Sequence, residues 1–118
     1  KNEKDFIFEF ENNILILNEK LEKKLQNYIN KKIILGIRPE NILPVNNISK
    51  NSFNGKINII EYTGNENYIH FSINNTKLVS RVQGDSFNSL SLNESKIFNF
   101  DIDKVHFFHI DTEINLTI

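Results

Sequence analysis

Asn67-Tyr68-Ile69-His70-Phe71-Ser72-Ile73-Asn74 alternates without a break, with Ile69, Phe71 and Ile73 on one face and His70, Ser72 and Asn74 on the other. A period of two marks a half-buried β-strand, because successive side chains of a strand point to opposite faces. Turn residues bound it on both sides. Thr63-Gly64-Asn65-Glu66 precedes it and Asn74-Asn75 follows it. Upstream, Phe53 to Tyr62 reads as a long strand, with Gly55 as a bulge or bend. Downstream, Lys77 to Val82 is the next strand of the same meander. Gly84 to Leu92 reads as a loop. Lys96 to Ile102 follows as a strand with Phe98, Phe100 and Ile102 on one face, then Val105 to Ile110, and Ile114 to Ile118 as a last strand.

The first half is also mostly strand. Asp5 to Phe10 alternates, with Phe6, Phe8 and Phe10 together on one face. Asn12-Asn13 is read as a turn into a short return strand, Ile14 to Leu17, which makes a hairpin. The one clear helix runs from about Glu19 to Asn30. Leu21, Leu25, Tyr28 and Ile29 share one helical stripe there, and Asn18 is a candidate N-cap. Lys20, Lys23, Lys24, Lys31 and Lys32 take the other faces and read as a solvated surface. Lys32 to Arg38 is a buried-type strand that Pro39 ends. Residues 46–52 are polar throughout apart from Ile48 and read as a flexible connector. Short strands punctuated by turns, with one short helix, predict a mainly β fold built as a small closed barrel.

Composition narrows the functions open to such a barrel. The chain has 118 residues, which suits one domain spanning residues 1–118. With 39% apolar residues and ten Phe it can bury a real core. Lys plus Arg is 14 and Asp plus Glu is 15, a balance that argues against a strongly basic nucleic-acid binder. Cysteine is absent, so there is no disulfide framework and no thiol nucleophile. No apolar run reaches the roughly 18 residues that a membrane helix requires. The sequence opens at Lys1 and contains no Met, which reads as a part cut or processed from a longer protein. It also contains 20 Asn, 19 Ile and 12 Lys and no Ala, a bias typical of AT-rich coding sequence. Single asparagines therefore carry little functional weight at this stage.

No catalytic constellation emerges. His106-x-x-His109 has two of the ligands that zinc takes, but strand positions three apart face opposite ways. Asp101-x-Asp103 lacks the further oxygens and the glycine of a calcium loop. There is no glycine-rich phosphate loop and no sharp glycine-flanked nucleophile turn. The expectation is therefore no catalytic residues, no cofactor-binding residues and no metal ligands. Arg38 and Arg81 stand out as the only two arginines. Arg38 follows an apolar strand and precedes Pro39-Glu40, so the first expectation is an ion pair with Glu40 or with a carboxylate across the barrel. The second is an anchor at a subunit or domain interface, where the guanidinium fork is favoured.

Four segments in order resemble a known family. Leu35-Gly36-Ile37-Arg38-Pro39-Glu40-Asn41-Ile42 resembles the Gly-Ile-Arg-Pro-Glu segment of the C-terminal regulatory domain of ABC importer ATPase subunits. Gly55 to Glu66, with Glu61, Gly64 and Glu66 at the matching positions, resembles that family's next strand and turn. Leu78-Val79-Ser80-Arg81-Val82 resembles the strand after it, and Asp103 to Phe108 resembles a late strand that ends in His-Leu-Phe-Asp. The sequence departs from the pattern at His109, where Asp is usual, and at Thr63, where Leu is common.

The resemblance implies an OB-like, TOBE-type β-barrel with one short amphipathic helix near residues 19–30. It implies an accessory, dimer-stabilising role in the ATPase subunit of a sugar importer (maltose or multiple-sugar) or a glycerol-3-phosphate importer. The nucleotide-binding domain, with its ATP and Mg, would belong to the parent chain, and the fragment itself would hold no cofactor and perform no catalysis. The implied partners are a second copy of the subunit, membrane-spanning permease subunits and in some members a regulatory protein, with no nucleic acid. The implied location is the cytoplasmic face of a bacterial plasma membrane, as a peripheral subunit. Interface or structural candidates are Gly36, Arg38, Pro39, Glu40, Glu61, Gly64, Glu66, Arg81, His106 and Phe108. Two other readings stay open: the same domain in a polyamine or oxyanion importer with a small-molecule site, and an OB-fold nucleic-acid binder.

Overall fold

Alternating burial along the chain builds three antiparallel sheets in a computed structural model, which describes residues 6–83 and 91–118. The elements in chain order are β1 (Ile7–Phe10), β2 (Asn13–Ile16), α1 (Glu19–Lys24), β3 (Ile33–Gly36), β4 (Ile42–Val45), β5 (Ser52–Tyr62), β6 (Glu66–Ile73), β7 (Thr76–Gln83), β8 (Ser95–Phe100) and β9 (His106–His109). Short 3-10 turns occupy Gln26–Tyr28, Pro39–Asn41 and Ile102–Lys104. The main sheet has the order β4-β8-β5-β6-β7, while β1 pairs with β2 and β3 with β9. No helix among the described residues is long and apolar enough to cross a membrane.

The main sheet curls into a half-barrel, so that its edge strand β7 returns to β4. The hydroxyl of Ser80 on β7 donates to the carbonyl of Ile42 on β4, and both residues are buried. This side-chain bond ties the seam where the backbone ladder stops. Pro44 sits in β4 without disrupting the ladder because β4 is an edge strand. The fold is mainly β with one short helix, as expected of an OB-like TOBE-type barrel.

Phenylalanine fills the interior. Phe71 on β6 and Phe98 on β8 stack with centroids 3.8 Å apart and planes 7° apart. Gly55 lies between them on the central strand β5, where an added Cβ would come within 2.5 Å of the Phe71 ring. Gly55 is therefore a site of close approach, not the bulge expected there. The bulge falls at Asn58, where the register shifts between Ile57 and Ile59. One extra residue reverses the alternation of the strand. Ile57 is fully buried, whereas Ile59 is 57% exposed.

The β1–β2 hairpin lays Phe6, Phe8 and Phe10 on this core, as its alternation predicts. Phe8 meets Phe107 with centroids 5.0 Å apart, and Phe10 meets Phe53 at 5.2 Å. The turn lies one residue earlier than expected. Glu11 and Asn12, at φ 48° and 66°, form it, and Asn13 opens β2. Two positive φ values in a two-residue loop match the twist of a hairpin. Glu11 is held there from across the domain: its carbonyl accepts from the Asn74 amide at 2.6 Å and its carboxylate from the Thr76 hydroxyl at 2.6 Å.

Three other expectations change. The helix expected over residues 19–30 ends at Lys24, and its continuation Gln26–Tyr28 is a 3-10 turn. Leu21 and Leu25 bury and Tyr28 packs against the core, but Ile29 points to solvent and Asn30 is left-handed. The Asn18 cap is present, accepting from the Leu21 N–H at 2.9 Å. The last strand expected at Ile114 to Ile118 is instead an irregular tail along β9. The His109 Nδ1 accepts from the Asp111 and Thr112 amides, which turns the chain, and the β-pairing of the tail is a lone bridge between Asn115 and Phe108. Finally, Asn51 anchors the connector over residues 46–52. It is buried, its amide both accepts from the Ile16 N–H (2.9 Å) and donates to the Ile16 carbonyl (3.0 Å), and its own carbonyl accepts from Phe100. Of the loop expected at Gly84 to Leu92, residues 84–90 lie outside the described residues.

Candidate regulatory interface

Pro39 stops β3 from extending and opens the 3-10 turn Pro39–Asn41, in which the Arg38 carbonyl accepts from the Asn41 N–H at 2.9 Å. The turn passes over the end of β7. Arg38 is extended, as a residue before proline should be, and its side chain is exposed. The ion pair expected between Arg38 and Glu40 does not form. Among the described residues, no carboxylate lies within ion-pair distance of Arg38.

Glu40 turns instead to Arg81 on β7, at 3.6 Å from its Nη2. The Nε of the same guanidinium is 3.5 Å from Glu66 Oε2. Glu66 begins β6 and its other oxygen faces the Tyr68 hydroxyl at 3.5 Å. Tyr68 is the direct cross-strand partner of Arg81. The structure thus gathers Glu40, Glu66 and Arg81, which the sequence placed in three separate motifs, around one guanidinium. The Tyr68 hydroxyl first, and then the charges of Glu66 and Glu40, raise the Arg81 pKa above its already high ordinary value, against the opposing effect of partial desolvation. Arg81 stays cationic at every pH at which the fold persists. All three charged side chains are about a third exposed, so the cluster contributes geometry more than stability.

The remaining candidates lie elsewhere. Gly64 (φ 96°) makes the turn that brings Glu66 to β6, and nothing packs where a side chain would stand. Gly36 ends β3 with its α-carbon under Phe108, and an added Cβ would lie 2.6 Å from that ring. Those two candidates therefore explain each other as a packing pair. Glu61 meets His70 Nε2 at 2.7 Å on the exposed face of β5 and β6. His106 faces the tail, with its Nδ1 3.3 Å from both Thr117 Oγ1 and Asn115 Nδ2. Among the described residues, no group of three or more histidines and carboxylates is placed to hold a metal ion. Sequence reasoning missed Tyr68, although its position two residues beyond Glu66 put it on the same strand face. It also missed Ser80 and Asn51, whose roles depend on pairings remote in the chain.

Among the described residues, the curled sheet and the proline turn held against β7 by the Glu40–Arg81–Glu66 cluster define the class of fold, an OB-like half-barrel. The chain belongs to the TOBE domain family, whose sequence model matches residues 35–108. That span contains all ten candidate residues. The chain is similar to the uncharacterized ABC transporter ATP-binding protein YcjV of Escherichia coli O157:H7, 34% identical over 91 residues, covering 77% of this chain and 24% of that protein. It is similar also to the oligosaccharides import ATP-binding protein MsmX of Bacillus subtilis strain 168, 33% identical over 93 residues, covering 75% of this chain and 25% of that protein. The chain spans about a quarter of the length of these curated relatives.

Proposed function

We propose that the chain is the accessory domain of an ABC importer ATPase subunit, and that its parent imports a sugar or oligosaccharide. The observation that carries the reading is the family match over residues 35–108, joined to the likeness to an oligosaccharide-import subunit. In this reading ATP and Mg are handled by the rest of the parent chain. The barrel supplies a rigid surface through which two ATPase subunits stay together while their nucleotide domains open and close. The parent sits on permease subunits at the cytoplasmic face of the membrane. A glycerol-3-phosphate, polyamine or oxyanion cargo would use the same architecture.

The mechanism asked of the barrel is positional. Arg81 holds the Pro39–Asn41 turn and the Gly64 turn in a fixed relation, so that exposed Arg38 and its neighbours present one shape to a partner. Two rigid bodies packed through such surfaces switch between discrete arrangements instead of deforming continuously. Sedimentation of the purified parent subunit tests this. The intact protein should form dimers that weaken when Arg38 and Glu40 are both reversed in charge. Unchanged dimerisation, in a variant whose unfolding transition is also unchanged, would remove this surface from the account.

A further inference from the structure

Along the side of β1 away from β2 lies an open groove of ≈ 820 Å³. Every residue from Phe6 to Phe10 lines it, inward-facing and outward-facing alike. A cavity on the face of a strand would meet alternate residues. Unbroken contact means that the groove runs along the strand's edge. Leu17, Leu25, Tyr28 and Ile29 add apolar surface, and Asn30 to Ile33 with Ile110 complete the lining. All of these residues lie outside the span matched by the family.

Hairpin geometry shows which backbone groups of β1 are free. A two-residue turn makes Phe10 and Asn13 a hydrogen-bonded pair, and such pairs then alternate along the strands. Phe6 fits this rhythm, since its carbonyl accepts from Leu17. Phe6, Phe8 and Phe10 therefore direct their main-chain groups to β2, and those of Ile7 and Glu9 point away. The same arithmetic directs the groups of Ile16 out of β2, where the Asn51 amide takes both of them. The edge of β1 has no counterpart of Asn51 among the described residues. Ile7 and Ile29 are 40% and 51% exposed beside it.

Charge decides what fits. Lys31 and Lys32 are exposed, and among the described residues no carboxylate lies within ion-pair distance of either. They outnumber Glu9, the single acidic residue of the lining. We propose that the groove binds an extended, apolar and acidic segment of a partner protein, which adds as a strand to the free edge of β1. Main-chain bonds to Ile7 and Glu9 supply affinity, alternate apolar side chains enter the groove, and acidic side chains meet Lys31 and Lys32.

The probe is a synthetic peptide of alternating valine and threonine with two aspartates at one end, titrated into the intact protein and followed by amide NMR and hydrogen exchange. Without peptide, the Ile7 and Glu9 amides should exchange fast and those of Phe8 and Phe10 slowly. With peptide, Ile7 and Glu9 should become protected. N-methylation at alternate peptide positions should weaken binding about tenfold, and methylation at the intervening positions should not. Reversing Lys31 and Lys32 to Glu should weaken binding several-fold without altering the unfolding transition. The proposal is overturned if millimolar peptide leaves Ile7 and Glu9 unprotected, or if N-methylation has no positional effect. It is overturned equally by protection that exists before peptide is added: if this depends on protein concentration a second copy covers the edge, and if not the protein's own chain does.

Discussion

Phe71 and Phe98 stack face to face across Gly55, with ring centroids 3.8 Å apart. They come from the two strands that flank β5, so the glycine between them is what lets the rings meet. A methyl group there would lie 2.5 Å from Phe71 and 3.1 Å from Phe98. Gly55→Ala should therefore destabilise the fold by about 1–3 kcal/mol through overpacking. Urea unfolding checks this, and Gly55→Ala combined with Phe71→Leu should cost less than the two single changes added together.

Asn51→Ala should cost about 1–3 kcal/mol, because it leaves both main-chain groups of Ile16 without their partner. The local signature is faster hydrogen exchange at Ile16, while the Ile69 amide in the central sheet keeps its protection relative to global unfolding.

Ser80→Ala removes a side-chain bond across the barrel seam and orphans the buried Ile42 carbonyl. A loss of about 1–3 kcal/mol is expected by thermal or urea unfolding. A change smaller than half that would mean that water or the backbone closes the seam without the hydroxyl.

Arg81→Gln should leave the unfolding midpoint almost unchanged, since its partners are partly exposed and solvent screens the pairs. Its sign with pH follows from linkage. A cation whose pKa is raised contributes fully below its ordinary value and loses that contribution only above the raised one. Deprotonation of Arg81 thus lends no pH dependence below the strongly alkaline range. What the substitution should disturb is the position of the Pro39–Asn41 turn, seen as amide shift changes at Glu40 and Asn41.

The alternation of residues 67–74 carried the fold, and the order of motifs from Leu35 to Phe108 carried the family. Both are local patterns. The departures share one cause, which is contact between residues far apart in the chain. The bulge at Asn58 reflects pairing with β6, where its amide reaches the Ser72 hydroxyl at 2.7 Å. The helix ends early although its apolar stripe continues to Ile29, because the core accepts Leu21, Leu25 and Tyr28 and no more. Arg38 and Glu40 are two residues apart, yet Glu40 finds Arg81 instead, 41 positions along the chain. Compositional bias also hid signal. Among 20 asparagines, Asn18, Asn51 and Asn74 each hold a defined main-chain group.

Exchange between proteins tests the proposal that this barrel serves an oligosaccharide-type importer ATPase. The segment of Bacillus subtilis MsmX that aligns with this chain can be replaced by the chain itself, and growth of an msmX-deleted strain on an imported oligosaccharide measured. The chimera should restore growth, and reversing the charges of Arg38 and Glu40 in it should lower growth. A chimera that accumulates as folded protein, hydrolyses ATP and yet supports no growth would contradict the proposal.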